Sequence, residues 1–374
     1  MGVSTVTVER GDNLILLSAL LLSAIGLVMV YSASPFVSVK YAKADWYFFS
    51  RQLIFTVLGL GAMIFGARVD VVFYRRWVKF LLLGISILML LQLFTSLGSK
   101  IGGTRRWIDL GPFNFQSSEA ARCLIIIYLA RVVADSPELL QKLDRRLLTV
   151  LGVVAVPMLL TALQPDLSGA MVMAAIAGLV LFLGGLKIRH ILLFASTGFA
   201  CVVGWVIRTP YQRERVTNFI LRISDGGGGG DNYQTMQSLF GFGRGGLFGV
   251  GLGQSKQKML FLPEPHTDFI FSIIGEELGL IRTLLVLALF LVLTLRSIRM
   301  LKAQSDRFNY LFGAGLIGSI VLYALINMYV ATGLFPVTGL PLPFISSGGT
   351  NLVISLWSVG VLWQLSRRAG GYEW

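Results

Sequence analysis

The feature that most limits how this chain can fold is a series of long runs without a charged residue, such as Leu14 to Val30 and Met171 to Leu183. About 20 apolar residues in a helix match a bilayer core of about 30 Å. The chain as a whole is 55% hydrophobic and 14% charged, where a soluble domain has about a quarter of its residues charged. An all-α polytopic membrane protein follows. Ten spans are expected, at about 13–32, 49–67, 78–96, 118–134, 148–164, 167–185, 190–207, 279–298, 309–332 and 350–366. Spans five and six are separated only by the turn Gln164-Pro165-Asp166. The first span is read as a retained helix rather than a cleaved leader.

The formal net charge of +13 does not indicate nucleic acid, because the basic residues sit in short clusters between apolar runs, where they act as orientation signals. Arg68, Arg75, Arg76 and Lys79 form one cluster, Lys142, Arg145 and Arg146 another, and Lys187 and Arg189 a third. Arg296, Arg299, Lys302 and Arg307 follow, and then Arg367 and Arg368 in the tail. Placing these clusters inside puts both termini in the cytoplasm. Cys123 and Cys201 lack metal-ligand spacing and are read as small core residues.

Three segments then share the outer side: 97–119, the long 208–267 loop between spans seven and eight, and 333–349. Their polar and turn-forming residues suggest one composite site there. A transporter would concentrate such residues mid-membrane, on broken helices. The long loop contains Asp225, five glycines (Gly226 to Gly230) and Asp231, a linker composition with no chemical role assigned. Gly241, Gly243 and Gly246 fit a dinucleotide-binding pattern, but no βαβ unit surrounds them. Together with the glycines through Gly253 they are read as allowing tight turns against neighbouring helices.

Pro263-Glu264-Pro265-His266-Thr267-Asp268 closes the loop, its two prolines restricting the backbone. By spacing alone Asp268 is an N-cap for the helix that starts at Phe269; as chemistry it is a candidate general base at the membrane surface. The readings are compatible. Glu276-Glu277 are read as structural, with Arg282 a plausible partner. Gln116, Glu119 and Arg122 open span four, and the last two share a helix face. They form an intrahelical ion pair or, through Arg122, a pyrophosphate site. Arg105 and Arg106 either meet lipid headgroups or hold a pyrophosphate. Asp166 either caps span six or faces the outer site. Ser346, Ser347, Gly348, Gly349 and Thr350 allow close backbone approach or line a lipid groove.

In these motifs the chain resembles the SEDS family, the bacterial membrane proteins of shape, elongation, division and sporulation. The resemblance covers nearly the whole chain. It lies in Arg105-Arg106-Trp107-Ile108, Gly111-Pro112 and Phe115 to Glu119, in Pro263 to Phe271 with Gly275 to Gly279, and in Asn327, Gly333, Pro336, Gly339 and Pro343 to Thr350. Ile274 to Glu277 and Arg213-Glu214-Arg215 resemble the division members more than their elongation counterparts. Departures are Ser117 for the family's proline, Arg122 for its lysine and Ser347 for its tyrosine; an Arg is not equivalent to a Lys in hydrogen-bond geometry.

The resemblance implies an inverting peptidoglycan glycosyltransferase that polymerises lipid II at the outer face of the cytoplasmic membrane, for septal synthesis. An elongation polymerase or a lipid II flippase is the alternative. It further implies Asp268 as the catalytic base, and Gln116, Glu119, Arg122, Arg105, Arg106, Asp166, Ser346 and Ser347 as substrate contacts. No cofactor is required by the motifs, although a divalent cation (Mg or Mn) could assist at the pyrophosphate. The implied partners are lipid II, a class B penicillin-binding protein and other divisome proteins.

Overall fold

The computed structural model describes residues 11–40, 43–101, 104–109, 111, 113–225 and 230–369. Twelve α-helices are found among them: α1 (Asn13–Lys40), α2 (Tyr47–Arg68), α3 (Val71–Phe94), α4 (Ser117–Asp135), α5 (Arg145–Leu163), α6 (Leu167–Leu183), α7 (Ile188–Arg208), α8 (Pro210–Asp225), α9 (Gly230–Gly245), α10 (Ile270–Lys302), α11 (Arg307–Ala331) and α12 (Gly349–Arg368). The ten expected spans fall on α1–α7 and α10–α12. Seven of these, α1, α2, α3, α5, α7, α10 and α11, are long and apolar enough to cross a membrane by length and composition. The apolar α6 has 17 residues. The more polar α4 and α12 bury most of their residues against other helices. A helix enclosed by protein can carry polar groups that a lipid-facing one cannot.

Asp70, Asp144, Asp166 and Asp306 cap α3, α5, α6 and α11, each side chain accepting a backbone N–H of the first turn. At the periphery α7 buries His190 and exposes Leu192, Phe199 and Ile207. Cys201 on this helix is exposed, so only Cys123 is the core residue expected of both. A helix on the rim of the bundle has lipid as its solvent, and there a thiol needs no protein packing.

Contacts between helix ends define two ends of the bundle. At one end Asp12 receives Arg296 at 2.6 Å and donates its own N–H to Ser366, Arg368 pairs with Asp70 at 2.8 Å, and Arg75 pairs with Asp135. The basic clusters of the sequence therefore gather at one end. At the other lies a three-stranded antiparallel sheet, β1 (Gly98–Ile101), β2 (Thr104–Asp109) and β3 (Asn114–Gln116), paired in that order with Trp107 opposite Gln116. Segment 208–267 reaches the same end. It contains α8, α9 and a single π turn at Gln257–Phe261. Gly226 to Gly229 of the glycine run lie outside the described residues.

α10 is broken at Gly279, where φ is +78°. The chain forms a short re-entrant helix over 270–278, then a long one over 280–302. A Cβ on Gly279 would lie 2.2 Å from the Gly249 nitrogen, and one on Gly249 2.2 Å from the Glu277 carbonyl oxygen. Glycine is thus required where two backbones touch, as the sequence suggested for this loop.

Candidate active site

Asp268 ends the Pro-rich stretch directly before the re-entrant helix, but it does not cap it. The cap position is Phe269, and no side chain bonds the first turn. The cap reading of Asp268 therefore fails, in contrast to the aspartates that cap α3, α5, α6 and α11. Its backbone instead is fixed from three sides. Asn327 on α11 donates to the Asp268 carbonyl at 2.9 Å and to that of Leu340 at 2.8 Å. Ser346 donates its hydroxyl to the Thr267 carbonyl at 2.6 Å, and the Ser347 N–H bonds the His266 carbonyl at 2.9 Å. The imidazole of His266 is buried against Phe48, ring centroids 4.5 Å apart.

The partly buried carboxylate faces Gly339, whose Cβ, if present, would lie 3.6 Å from Oδ2; the φ of +75° at this residue also suits glycine. Burial pushes the Asp268 carboxyl up from 3.8 to about 6, and the Glu264 carboxylate adds to the rise. A hydrogen bond from Thr267 and the charges of Arg215 and Arg106 oppose it. The site thus holds a carboxylate of moderate basicity with two guanidinium groups within electrostatic reach.

Arg106 is brought there by β2. It donates to the Gln164 carbonyl at 3.0 Å and to that of Pro165, so the sheet is clamped to the α5–α6 turn. Arg105, its neighbour on the strand, points the other way and bonds the Leu93 and Thr95 carbonyls at the end of α3. Successive strand residues face opposite sides, so the pair expected to act together is split. Asp166 caps α6 through the Gly169 N–H at 3.0 Å, as one of its two readings expects.

Glu119 and Arg122 form the expected i,i+3 ion pair, at 2.8 Å, and each is about 3% exposed. Glu119 also accepts from the Tyr323 hydroxyl at 3.0 Å and the Asn351 amide at 2.9 Å. The Arg122 guanidinium lies 4.1 Å from the centroid of the Tyr323 ring. This network joins α4, α11 and α12. With so little surface open, Arg122 holds the wall of the site in this conformation and does not present its fork to a ligand. Gln116 bonds the Thr350 hydroxyl through its backbone N–H at 3.0 Å, linking β3 to α12. Ser347 is half-buried, whereas Ser346 is buried and occupied by the Leu342 N–H and the Thr267 carbonyl.

The sequence reading did not single out Arg215, Gly339, Tyr323 or Asn351 as site residues. Arg215 was visible only as part of Arg-Glu-Arg, and nothing in that tripeptide shows that α8 reaches Asp268. Arg282 is not the partner of Glu276 and Glu277: it donates to the Phe248 carbonyl, while Arg244 and Lys258 take the carboxylates. No group of three or more His, Cys, Asp or Glu side chains suited to a metal occurs among the described residues.

The profile of the FtsW/RodA/SpoVE cell cycle proteins matches residues 12–370. Stage V sporulation protein E of Bacillus subtilis is 40% identical over 357 residues, 95% of this chain and 97% of that protein. A probable peptidoglycan glycosyltransferase FtsW of Geobacter metallireducens is 38% identical over 367 residues, 97% of this chain and 96% of that one. Among solved structures, a chain of a peptidoglycan synthase complex that coordinates polymerisation and crosslinking superposes with a TM-score of 0.77 at 27% identity, covering 96% of this chain and 98% of that chain. The rod shape determining protein RodA of Thermus thermophilus gives 0.70 at 25% identity, covering 97% and 98%. With the family profile matching residues 12–370, the chain belongs to the FtsW/RodA/SpoVE family of cell cycle proteins.

Proposed function

We propose that this protein is an inverting peptidoglycan glycosyltransferase, polymerising lipid II at the outer face of the cytoplasmic membrane as the polymerase of septal wall synthesis. The observation that carries this reading is Asp268. It is a partly buried carboxylate raised to about 6 at the end of the bundle opposite the basic clusters, with Arg106 and Arg215 acting on it. The relatives named peptidoglycan glycosyltransferase FtsW support the activity, and membership of a family of cell cycle proteins supports the division role. The similar chain of a complex that coordinates polymerisation with crosslinking supports a crosslinking partner, which in this reading is a class B penicillin-binding protein. The basic end is assigned to the cytoplasm, which places both termini inside and Asp268 outside.

In this mechanism the 4-hydroxyl oxygen of the acceptor sugar attacks the anomeric carbon of the polyprenyl-pyrophosphate donor. The new glycosidic bond forms as the bond to the pyrophosphate oxygen breaks, and that electron pair leaves with the pyrophosphate. The hydroxyl proton passes to the Asp268 carboxylate. Arg106, already fixed by two backbone carbonyls, offsets the leaving charge with little reorganisation, and Arg215 assists from α8. Gln116 and Ser347 line the same end, while Glu119, Arg122, Asp166 and Ser346 hold its walls. A Mg or Mn ion would be held by Glu264 alongside substrate phosphates, leaving Asp268 as the base, and would offset pyrophosphate charge.

The test is the purified protein with its transpeptidase partner and lipid II as the only substrate. Glycan polymer should form without another polymerase. Movement of lipid II across vesicles with no polymer would replace this reading by transport.

A further inference from the structure

Nine residues beyond Asp268, at the far end of the re-entrant helix, lies a buried charge cluster that the proposed chemistry does not use. Lys258 and Glu277 are each fully buried, and the ammonium lies 2.7 Å from the Glu277 carboxylate. Lys258 also donates to the Ser32 hydroxyl at 2.9 Å and lies 5.2 Å from the centre of the Phe36 ring, both on α1. Ser32 in turn donates to both Glu277 oxygens at 2.8 Å. The backbone N–H groups of Gly253 and Ser255 complete the Glu277 shell. Next to it Glu276 receives Arg244 at 2.9 Å, the Lys256 and Gln257 N–H groups and the Ser255 hydroxyl.

These contacts close a ring of chain. The backbone N–H groups of Val250 and Gly251 bond the carbonyls of Glu276 and Glu277. The segment 249–269 therefore leaves the C-terminal end of the re-entrant helix, turns through the π turn that carries Lys258, and returns at the N-terminal end with Asp268. A buried ion pair is a poor source of stability, because desolvation offsets much of the attraction, and its better-attested use is to fix one arrangement against its neighbours. Here the arrangement fixed is the height of the π turn against α1, and hence where the following Pro-rich stretch delivers its last residue.

We infer that Lys258 and Glu277 are positioning residues for Asp268, the buried pair locking the loop and the re-entrant helix into one body against α1. This rests on the base role proposed for Asp268. A misplacement of about 1 Å at a reacting group costs on the order of a hundredfold in rate. The experiment uses the purified protein with its transpeptidase partner and measures polymerisation over a range of lipid II concentrations. Lys258→Met should lower kcat about 10- to 100-fold. The KM for lipid II should stay within about twofold, since the pair touches no substrate. Glu277→Gln, which keeps the side-chain shape, should show the same split. Lys258→Arg, which keeps the charge, should recover part of the loss.

A kcat within about threefold of wild type in folded Lys258→Met or Glu277→Gln overturns the inference. So does a matching rise in KM, or failure of all three variants to fold, which would leave the pair a stability element alone. Asp268→Asn serves as the control. If it is inactive while Lys258→Met is normal, only the positioning role falls; if it is fully active, the base assignment itself is lost.

Discussion

Replacing Asp268 by Asn should remove activity without weakening the fold. The amide keeps the size of the side chain, and the contacts that hold this residue in place run through backbone carbonyls bonded by Asn327 and Ser346. Loss of a general base costs roughly 10²- to 10⁴-fold in rate. The effect on stability has the opposite sign. The carboxyl titrates at about 6 in the folded protein instead of 3.8, so its ionised form is disfavoured by folding. That destabilisation sets in as pH rises above the unfolded value and is complete above about 6. At pH 7.5 it amounts to about 3 kcal/mol at most, less for the share of the carboxylate that meets water. The Asn variant should therefore melt at the same temperature as wild type or higher at pH 7.5, and the gap should close towards pH 4. Polymer formation from lipid II and thermal unfolding of the same preparation read both quantities. Polymerisation within about threefold of wild type would refute the base assignment. A clear fall in melting temperature would show that the carboxylate stabilises the fold, contrary to its environment.

The same environment sets a pH profile: kcat/KM should lose about tenfold per pH unit below about 6, reaching about a tenth of its plateau at pH 5. Gly339→Ala puts a side chain at φ +75° and 3.6 Å from the Asp268 carboxylate; it should cost about 1–2 kcal/mol in unfolding and move the acid limb of the profile upward, since less water reaches the carboxylate. Arg122→Leu leaves Glu119 buried and uncompensated and should cost about 3–5 kcal/mol, visible as a lower melting temperature. Glu119→Leu combined with Arg122→Leu should recover much of that loss, because neither charge then needs solvation.

The apolar runs decided by themselves that this chain is helical and membrane-bound, because a bilayer leaves few other ways to place such segments. The short basic clusters, the split of polar segments to one side and the Pro-Glu-Pro-His-Thr-Asp stretch were equally readable along the chain. What the sequence left open depended on contacts between residues far apart in it. Asp268 has the spacing of a helix cap, yet the chain turns so that Phe269 takes that position. Arg105 and Arg106 look alike in sequence, but a β-strand sends one to the end of α3 and the other to the α5–α6 turn. Arg122 has the chemistry of a pyrophosphate ligand, and Tyr323, 201 residues later, covers it. Lys258 gave no signal, because a lysine in an outer loop is ordinarily solvated; only α1 packing over the π turn makes it a buried charge. Local pattern fixes which segments enter the bilayer. Which polar groups meet there is decided by helix packing, because the energy of a buried charge is set by neighbours that sequence distance does not reveal.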